Sequence, residues 1–274
     1  MTFEEKLLQA QSDNASWLCV GLDPVMERLP AGVRSSRSPL LAFGRTIVEN
    51  TADIVSAYKP NLGFWLAEGV AGLDALQALI DVIPDQIPVI LDGKFNDVGH
   101  TAEAYAQAAF ETLGVDAVTA NPYLGLDTLR PFLDSEEHGV FLLARTSNPS
   151  APQLQDLEAE DQPLYYRVAR LAAGWNKELP GTCGLVVGAT YPEELSILRE
   201  IAPELPFLIP GIGAQGGDLA QAVLHGPAAD GVGPVINSSR GIIYASSGAD
   251  FGEAARDAAL ETRDRINRQR EATR

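Results

Sequence analysis

Eight short apolar segments, each followed by a stretch with helical periodicity, restrict this chain to very few folds. The segments are 17–22, 55–60, 88–91, 116–120, 139–144, 183–187, 207–209 and 232–236. The helical patterns after them centre on 40–54, 68–82, 101–113, 126–133, 164–178, 192–201, 217–224 and 250–270. Strands that alternate with helices build parallel βαβ units, and eight units over about 250 residues match a closed (β/α)₈ TIM barrel. The expectation is one α/β domain, 1–274, with an added N-terminal helix over 2–12. An open doubly wound sheet is the alternative, and Gly211-Ile212-Gly213-Ala214-Gln215-Gly216 matches its G-x-G-x-x-G fingerprint. That fingerprint belongs at the first strand-to-helix turn of its domain; here it follows the seventh strand, and too little chain remains for a nucleotide-binding half. In a barrel, the loops after strands seven and eight are the usual phosphate site. The longest irregular piece, 148–162, is acidic and proline-punctuated and reads as a mobile loop.

Charge narrows the partners. With 37 acidic against 20 basic residues the net charge is −17, which repels nucleic-acid backbones and anionic membranes, so neither is an expected partner. Any phosphate must be met by a local cluster. Cys19 and Cys183 both sit in apolar runs and read as buried thiols of a reducing compartment. There is no zinc pattern, no signal-peptide core at the N-terminus and no apolar stretch of about 18 residues, so the expected location is cytoplasmic.

Active sites of such barrels lie at the C-terminal ends of the strands, and polar residues recur there. The most concentrated set is Ile90-Leu91-Asp92-Gly93-Lys94-Phe95-Asn96-Asp97-Val98-Gly99-His100-Thr101. An apolar strand ends in charge, and the two-residue period of a strand turns Asp92 and Lys94 to one side. Asp97 follows on the loop before a helix that Thr101 could cap. On its own such a string reads as a solvated turn. It has company, however: Asp23 after strand one, Lys59 and Asn61 after two, Thr146 and Ser147 after five, Gln215 after seven, and Ser238, Ser239 and Arg240 after eight. That many polar strand ends aimed at one mouth argue for a site. The glycine-rich loop offers backbone N–H groups and Arg240 a forked donor, a combination suited to a phosphate dianion.

Asp23, Lys59-Pro60-Asn61, the D-x-K-x-x-D-x-x-x-T string from Asp92 to Thr101, Pro210-Gly211-Ile212-Gly213 with Gln215, and Ser239-Arg240-Gly241 together resemble the orotidine 5'-phosphate decarboxylase family, in its longer bacterial (type 2) subgroup. The resemblance runs over nearly the whole chain; Gly93, Phe95, Asn96 and Val98 depart from the commoner fillers without removing a charge. It implies conversion of orotidine 5'-monophosphate to uridine 5'-monophosphate (UMP) and CO₂ in de novo pyrimidine biosynthesis, with no metal and no organic cofactor. By resemblance Lys94 protonates C6, and Lys59, Asp92, Lys94 and Asp97 form the catalytic charge array. Asp23 and Thr101 would hold ribose hydroxyls and Ser147 the pyrimidine. Gln215, Arg240 and the loop glycines Gly211 and Gly213 would hold the phosphate. The same resemblance implies a homodimer with shared sites, Asp97 reaching into the neighbouring subunit. Two other readings compete: a magnesium-dependent sugar-phosphate barrel enzyme with Asp92 and Asp97 as ligands, and a non-catalytic nucleotide-binding barrel, which would need no Lys and Asp array.

Overall fold

The computed structural model describes residues 1–189, 192–212 and 218–273. Eight parallel strands make one sheet: β1 Leu18–Leu22, β2 Ala57–Pro60, β3 Ile90–Phe95, β4 Ala117–Ala120, β5 Gly139–Arg145, β6 Thr182–Val187, β7 Phe207–Pro210 and β8 Val235–Ser238. Their order is β2-β1-β8-β7-β6-β5-β4-β3. Parallel bridges Tyr58–Val89 and Asn61–Asp92 join β3 to β2, so the sheet closes into the expected barrel. Helices follow the strands in turn, from Pro39–Thr51 after β1 to Phe251–Ala272 after β8. Among the described residues no helix is long and apolar enough to cross a membrane.

One side chain from each strand points into the barrel's interior: Cys19, Ala57, Ile90, Ala117, Phe141, Val186, Leu208 and Val235 belong to one cluster there. Their neighbours in sequence turn outward to the helices, as strand alternation requires. The N-terminal helix Phe3–Asp13 closes the bottom, with Phe3 and Leu7 in the same cluster. It starts at a capping box in which the Thr2 hydroxyl accepts from Glu5 N–H and the Glu5 carboxylate accepts from Thr2 N–H. The Phe3 ring meets Phe141 edge-on at 6.0 Å. Gly139 makes room for it, because a Cβ there would lie 2.5 Å from the ring. Both cysteines are buried, and burial pushes each thiol up to about 12.

Several element boundaries differ from the sequence expectation. The eighth strand begins at Val235 rather than 232, because the backbone of Gly233 is already bound: its N–H donates to Gln11 Oε1 (2.8 Å) and its carbonyl accepts from Gln11 Nε2 (2.9 Å). Pro234 next to it has no N–H to give a ladder. β3 runs on past Leu91 to Phe95, whose buried ring stacks on Phe132 at 5.7 Å. The following helix starts at Gly99, with Val98 at its N-cap, so Thr101 lies inside the first turn and caps nothing. The segment 148–162 holds a helical turn, Pro152–Gln155, and most of a small hairpin that pairs Glu158–Ala159 with Gln162–Pro163.

Glu4 on the N-terminal helix is hydrogen-bonded to Asp230, which lies in the turn before β8. That bond, burial, and the negative charges of Asp230 and Glu204 raise the Glu4 carboxyl from its ordinary value of 4.5 to about 7. Because the raised value belongs to the folded state, folding takes up a proton. The contribution is complete below about pH 4.5 and is lost as pH rises through about 7. Glu4→Gln keeps a donor at every pH, so the fall in melting temperature between about pH 5.5 and about pH 8.5 is expected to be smaller than in the wild type. Scanning calorimetry at the two pH values checks this; an unchanged difference would show that Glu4 is not the titrating group.

Candidate active site

The charged string at the end of β3 is shaped by a bulge. Ile90 pairs with Ala117 and Leu91 with Val118, but the next partners are Phe95 and Ala120, so β3 spends two more residues than β4 over that stretch. Lys94 takes up the excess with a φ of 48°, a left-handed conformation that costs a non-glycine residue about 1 kcal/mol. Its N–H is held by Thr119 Oγ1 at 3.0 Å. Gly93 is needed for the same turn, since a Cβ there would lie 2.6 Å from the Phe95 ring.

Asp92 is the centre of the resulting cluster. Its Oδ2 accepts from Lys59 Nζ at 2.7 Å and from Asn61 Nδ2 at 3.3 Å. Its Oδ1 accepts from Lys94 Nζ at 2.6 Å and from Thr119 Oγ1 at 2.8 Å. Burial pushes the Asp92 carboxyl up, but the Lys59 and Lys94 ammonium groups outweigh it and hold the group well below the usual carboxylate range. Burial likewise pulls Lys59 down, and Asp92 with help from Asp23 more than offsets it, leaving Lys59 raised. Both therefore stay charged at neutral pH. The Lys59 side chain is 6% exposed, Asp92 10% and Lys94 48%, so Lys94 is the member of the triad that a ligand can reach.

Lys94 faces a cavity of about 380 Å³. Lys59, Asp92 and Thr119 lie beside it, while Thr146, Ser147, Asn148 and Gln155 line the cavity from the end of β5 and the loop beyond. A second cavity of about 340 Å³ also touches Pro210, at the end of β7. It is lined by Asp23, Gly211, Asn237, Ser239 and Arg240 among others. Asp23 Oδ2 accepts from Ser239 Oγ at 2.7 Å. The other Asp23 oxygen and Asn237 Oδ1 are buried without a hydrogen-bond partner among the described residues. Gly211 has φ 98°, a conformation open to glycine, and Arg240 is exposed at the start of the short helix Arg240–Ile243. One half of the mouth thus carries ammonium groups around a carboxylate, and the other carries acceptors, a glycine turn and a guanidinium.

Of the residues expected from sequence, Asp23, Lys59, Asp92, Lys94, Ser147, Gly211 and Arg240 all line these two adjoining cavities. Gly213 and Gln215 lie outside the described residues. Asp97 and Thr101 do not join the cluster of their own chain: among the described residues Asp97 bonds locally, accepting from Val98 N–H at 2.8 Å, and Thr101 is exposed on its helix. Thr119 and Gln155 were not anticipated. The only sign of Thr119 in the sequence is a hydroxyl inside an otherwise apolar strand, one residue from its end. Gln155 gives no sign, since it sits in an irregular segment.

Residues 16–257 match the model of the orotidine 5'-phosphate decarboxylase / HUMPS family. The chain is 50% identical over 270 residues to the orotidine 5'-phosphate decarboxylase of Thermomicrobium roseum, covering 98% of this chain and 96% of that protein. It is 48% identical over 271 residues to the orotidine 5'-phosphate decarboxylase of Ralstonia pickettii, covering 97% and 98%. Among solved structures it superimposes on the OMP decarboxylase of Leishmania donovani with a TM-score of 0.85 and 40% identity, over 98% of this chain and 99% of that one.

Thr119 is 1% exposed, and its hydroxyl uses its one proton on Asp92 while accepting from Lys94 N–H. Thr119→Val keeps the shape and removes both bonds. The expected cost is about 1.5 to 3 kcal/mol of unfolding free energy, as for hydrogen bonds to a charged group, read as a lower urea midpoint at an unchanged slope. A midpoint equal to the wild type would show that Thr119 does not support Asp92.

Proposed function

The chain belongs to the orotidine 5'-phosphate decarboxylase / HUMPS family, and from that premise we propose that it converts orotidine 5'-monophosphate to UMP and CO₂ within pyrimidine biosynthesis. The observation that carries this reading is a single buried carboxylate, Asp92, whose two oxygens each meet an ammonium group, at 2.7 and 2.6 Å, beside a cavity. Loss of CO₂ leaves an electron pair on C6 of the pyrimidine with no adjacent carbonyl to delocalise it, so stabilisation must come from fixed charge. Lys94 is the half-exposed ammonium. It faces the developing carbanion and then transfers one proton to C6, after which the neutral amine regains a proton from solvent. Asp92 and Lys59 hold Lys94 in place beforehand, so the array acts without reorganising during the reaction.

The second cavity suits the other end of the nucleotide. Asp23 is an acceptor for a ribose hydroxyl, while Arg240 and the Gly211 turn take the phosphate; by family resemblance Gly213 and Gln215, which follow in the sequence, share that role. Binding energy from the phosphate then supports ordering of the base half. Ser147 meets the pyrimidine. The magnesium-dependent reading fits less well, because a cation on Asp92 would have to displace two ammonium groups already within 2.7 Å of its oxygens. A spectrophotometric assay of orotidine 5'-monophosphate loss, run with and without EDTA, tests both readings: turnover unaffected by chelator is expected, and no turnover at all would overturn the proposal.

Lys94→Ala is expected to abolish turnover while leaving the fold and most UMP affinity intact, since this ammonium serves charge that exists mainly in the transition state. A near-normal kcat in this variant would remove Lys94 from the chemistry.

Asp97 bonds only locally among the described residues and Thr101 is exposed, which supports a two-fold dimer in which each chain completes its partner's site. Mixing inactive Lys94→Ala chains with inactive Asp97→Ala chains then gives heterodimers with one doubly defective site and one intact site. Random exchange makes about half the dimers mixed, so roughly a quarter of wild-type activity is expected. No recovery after demonstrated subunit exchange would place Asp97 in its own chain's site.

A further inference from the structure

β5 ends in a cation with almost no access to water: Arg145 is 2% exposed. A buried charge must be matched by opposite charge at close range, and here Asp156 Oδ1 lies 2.7 Å away, with Glu194 Oε1 at 3.8 Å and the Tyr165 ring at 5.1 Å. Asp156 belongs to the segment 148–162, so the ion pair draws that segment back onto the strand it left. The residue before it, Gln155, is thereby laid across Thr146. Gln155 Oε1 accepts from Thr146 N–H at 3.0 Å, and Gln155 Nε2 donates to Thr146 Oγ1 at 2.7 Å. The Thr146 hydroxyl donates its own hydrogen bond to Asn148 Oδ1 at 2.7 Å. On the other side, Gly188 donates its N–H to the Arg145 carbonyl at 2.8 Å, and a Cβ on Gly188 would lie 3.2 Å from Ser147. The strand end Thr146–Ser147 is therefore gripped from both sides, and Gln155 is the grip on the cavity side. Its side chain also separates the cavity that holds Lys94 from an apolar groove lined by Tyr123, Leu124 and Leu154.

We propose that Gln155 is a positioning residue for the base-binding half of the site: by clamping Thr146 it fixes Ser147 against the pyrimidine, and so sets affinity for the base separately from affinity for the ribose and phosphate. The assignment rests on the nucleotide reading of the cavity. It uses the geometry of a primary amide, which can accept from one group and donate to another in the same plane. An aliphatic side chain of similar size fills the space but makes neither bond, whereas a carboxylate accepts from Thr146 N–H and from a Thr146 hydroxyl turned towards it. Gln155 is only half-buried on a short helical turn, so neither change threatens the core.

The test is calorimetric titration of the full chain with UMP and with ribose 5-phosphate, for the wild type, Gln155→Leu and Gln155→Glu. Wild-type protein should prefer UMP. Gln155→Leu should weaken UMP binding about tenfold, as loss of two hydrogen bonds predicts, and change ribose 5-phosphate binding by less than about twofold. Gln155→Glu should recover most of the UMP affinity. Unchanged UMP affinity in Gln155→Leu, an equal loss for both ligands, or a glutamate variant as weak as the leucine one overturns the assignment while leaving the nucleotide reading in place. No preference for UMP in the wild type overturns that reading, and this assignment with it.

Discussion

The geometry of the site depends on one desolvated carboxylate. A buried anion is unfavourable unless it is both paired and hydrogen-bonded, and Asp92 satisfies the requirement with two ammonium groups, a hydroxyl and an amide. Those four donors come from β2, from the turn after it, from β3 itself and from β4. Meeting the needs of Asp92 therefore fixes the relative positions of three strand ends. The bulge in β3 and the left-handed Lys94 are part of the same solution, because they bring the Lys94 ammonium back to the carboxylate two residues earlier in the chain. Strain of this kind persists where the surroundings hold it in place, and here the Thr119 hydroxyl holds both the strained backbone and the carboxylate.

The two ends of the barrel divide the work. At the bottom, one side chain from each strand and two from the N-terminal helix belong to one apolar cluster, of which Val186 and Leu208 also line the Lys94 cavity, and the helix is anchored by Lys6 to Asp116 at 2.5 Å and by Gln11 to Gly233. Those two anchors involve no residue of the mouth. At the top, the strand ends carry charge and hydroxyls that would be unfavourable in the interior. This separation leaves the mouth free to hold an ion triad with one half-exposed member, the strained lysine, while the bottom of the barrel is packed with apolar side chains.

The mouth is itself divided. Ammonium groups cluster where β2 and β3 end, and acceptors with a guanidinium where β1, β7 and β8 end, the two cavities sharing Pro210. A ligand long enough to span both would put an anionic tail at Arg240 and its reactive atom at Lys94. On the β5 side the Lys94 cavity is lined by Gln155, whose neighbour Asp156 ties the loop to the buried Arg145.

Much of this was legible in the sequence. The eight-fold alternation of parallel strands and helices follows from local hydrophobic periodicity, which neighbouring residues specify, whereas the short helices Ala31–Arg34, Leu62–Leu66 and Arg240–Ile243 were not read from it; the charged residues at the strand ends were visible in the sequence. Asp23, Lys59, Asp92, Lys94, Ser147, Gly211 and Arg240 were all recognisable there, and the structure gathers them around two adjoining cavities. The tertiary structure alone decided what depends on partners distant along the chain. Val235 opens β8 because Gln11, more than two hundred residues earlier, has already taken the backbone of Gly233. Thr119 became a support for Asp92 because β4 lies beside β3 in a shifted register. Gln155 acquired a role because a buried arginine on β5 needed the next residue's carboxylate. Periodicity reports which face of an element is buried. It carries no record of which hydroxyl, amide or charge the closed barrel will bring within 3 Å of another, because those distances are set by register and by the pairing of buried polar groups.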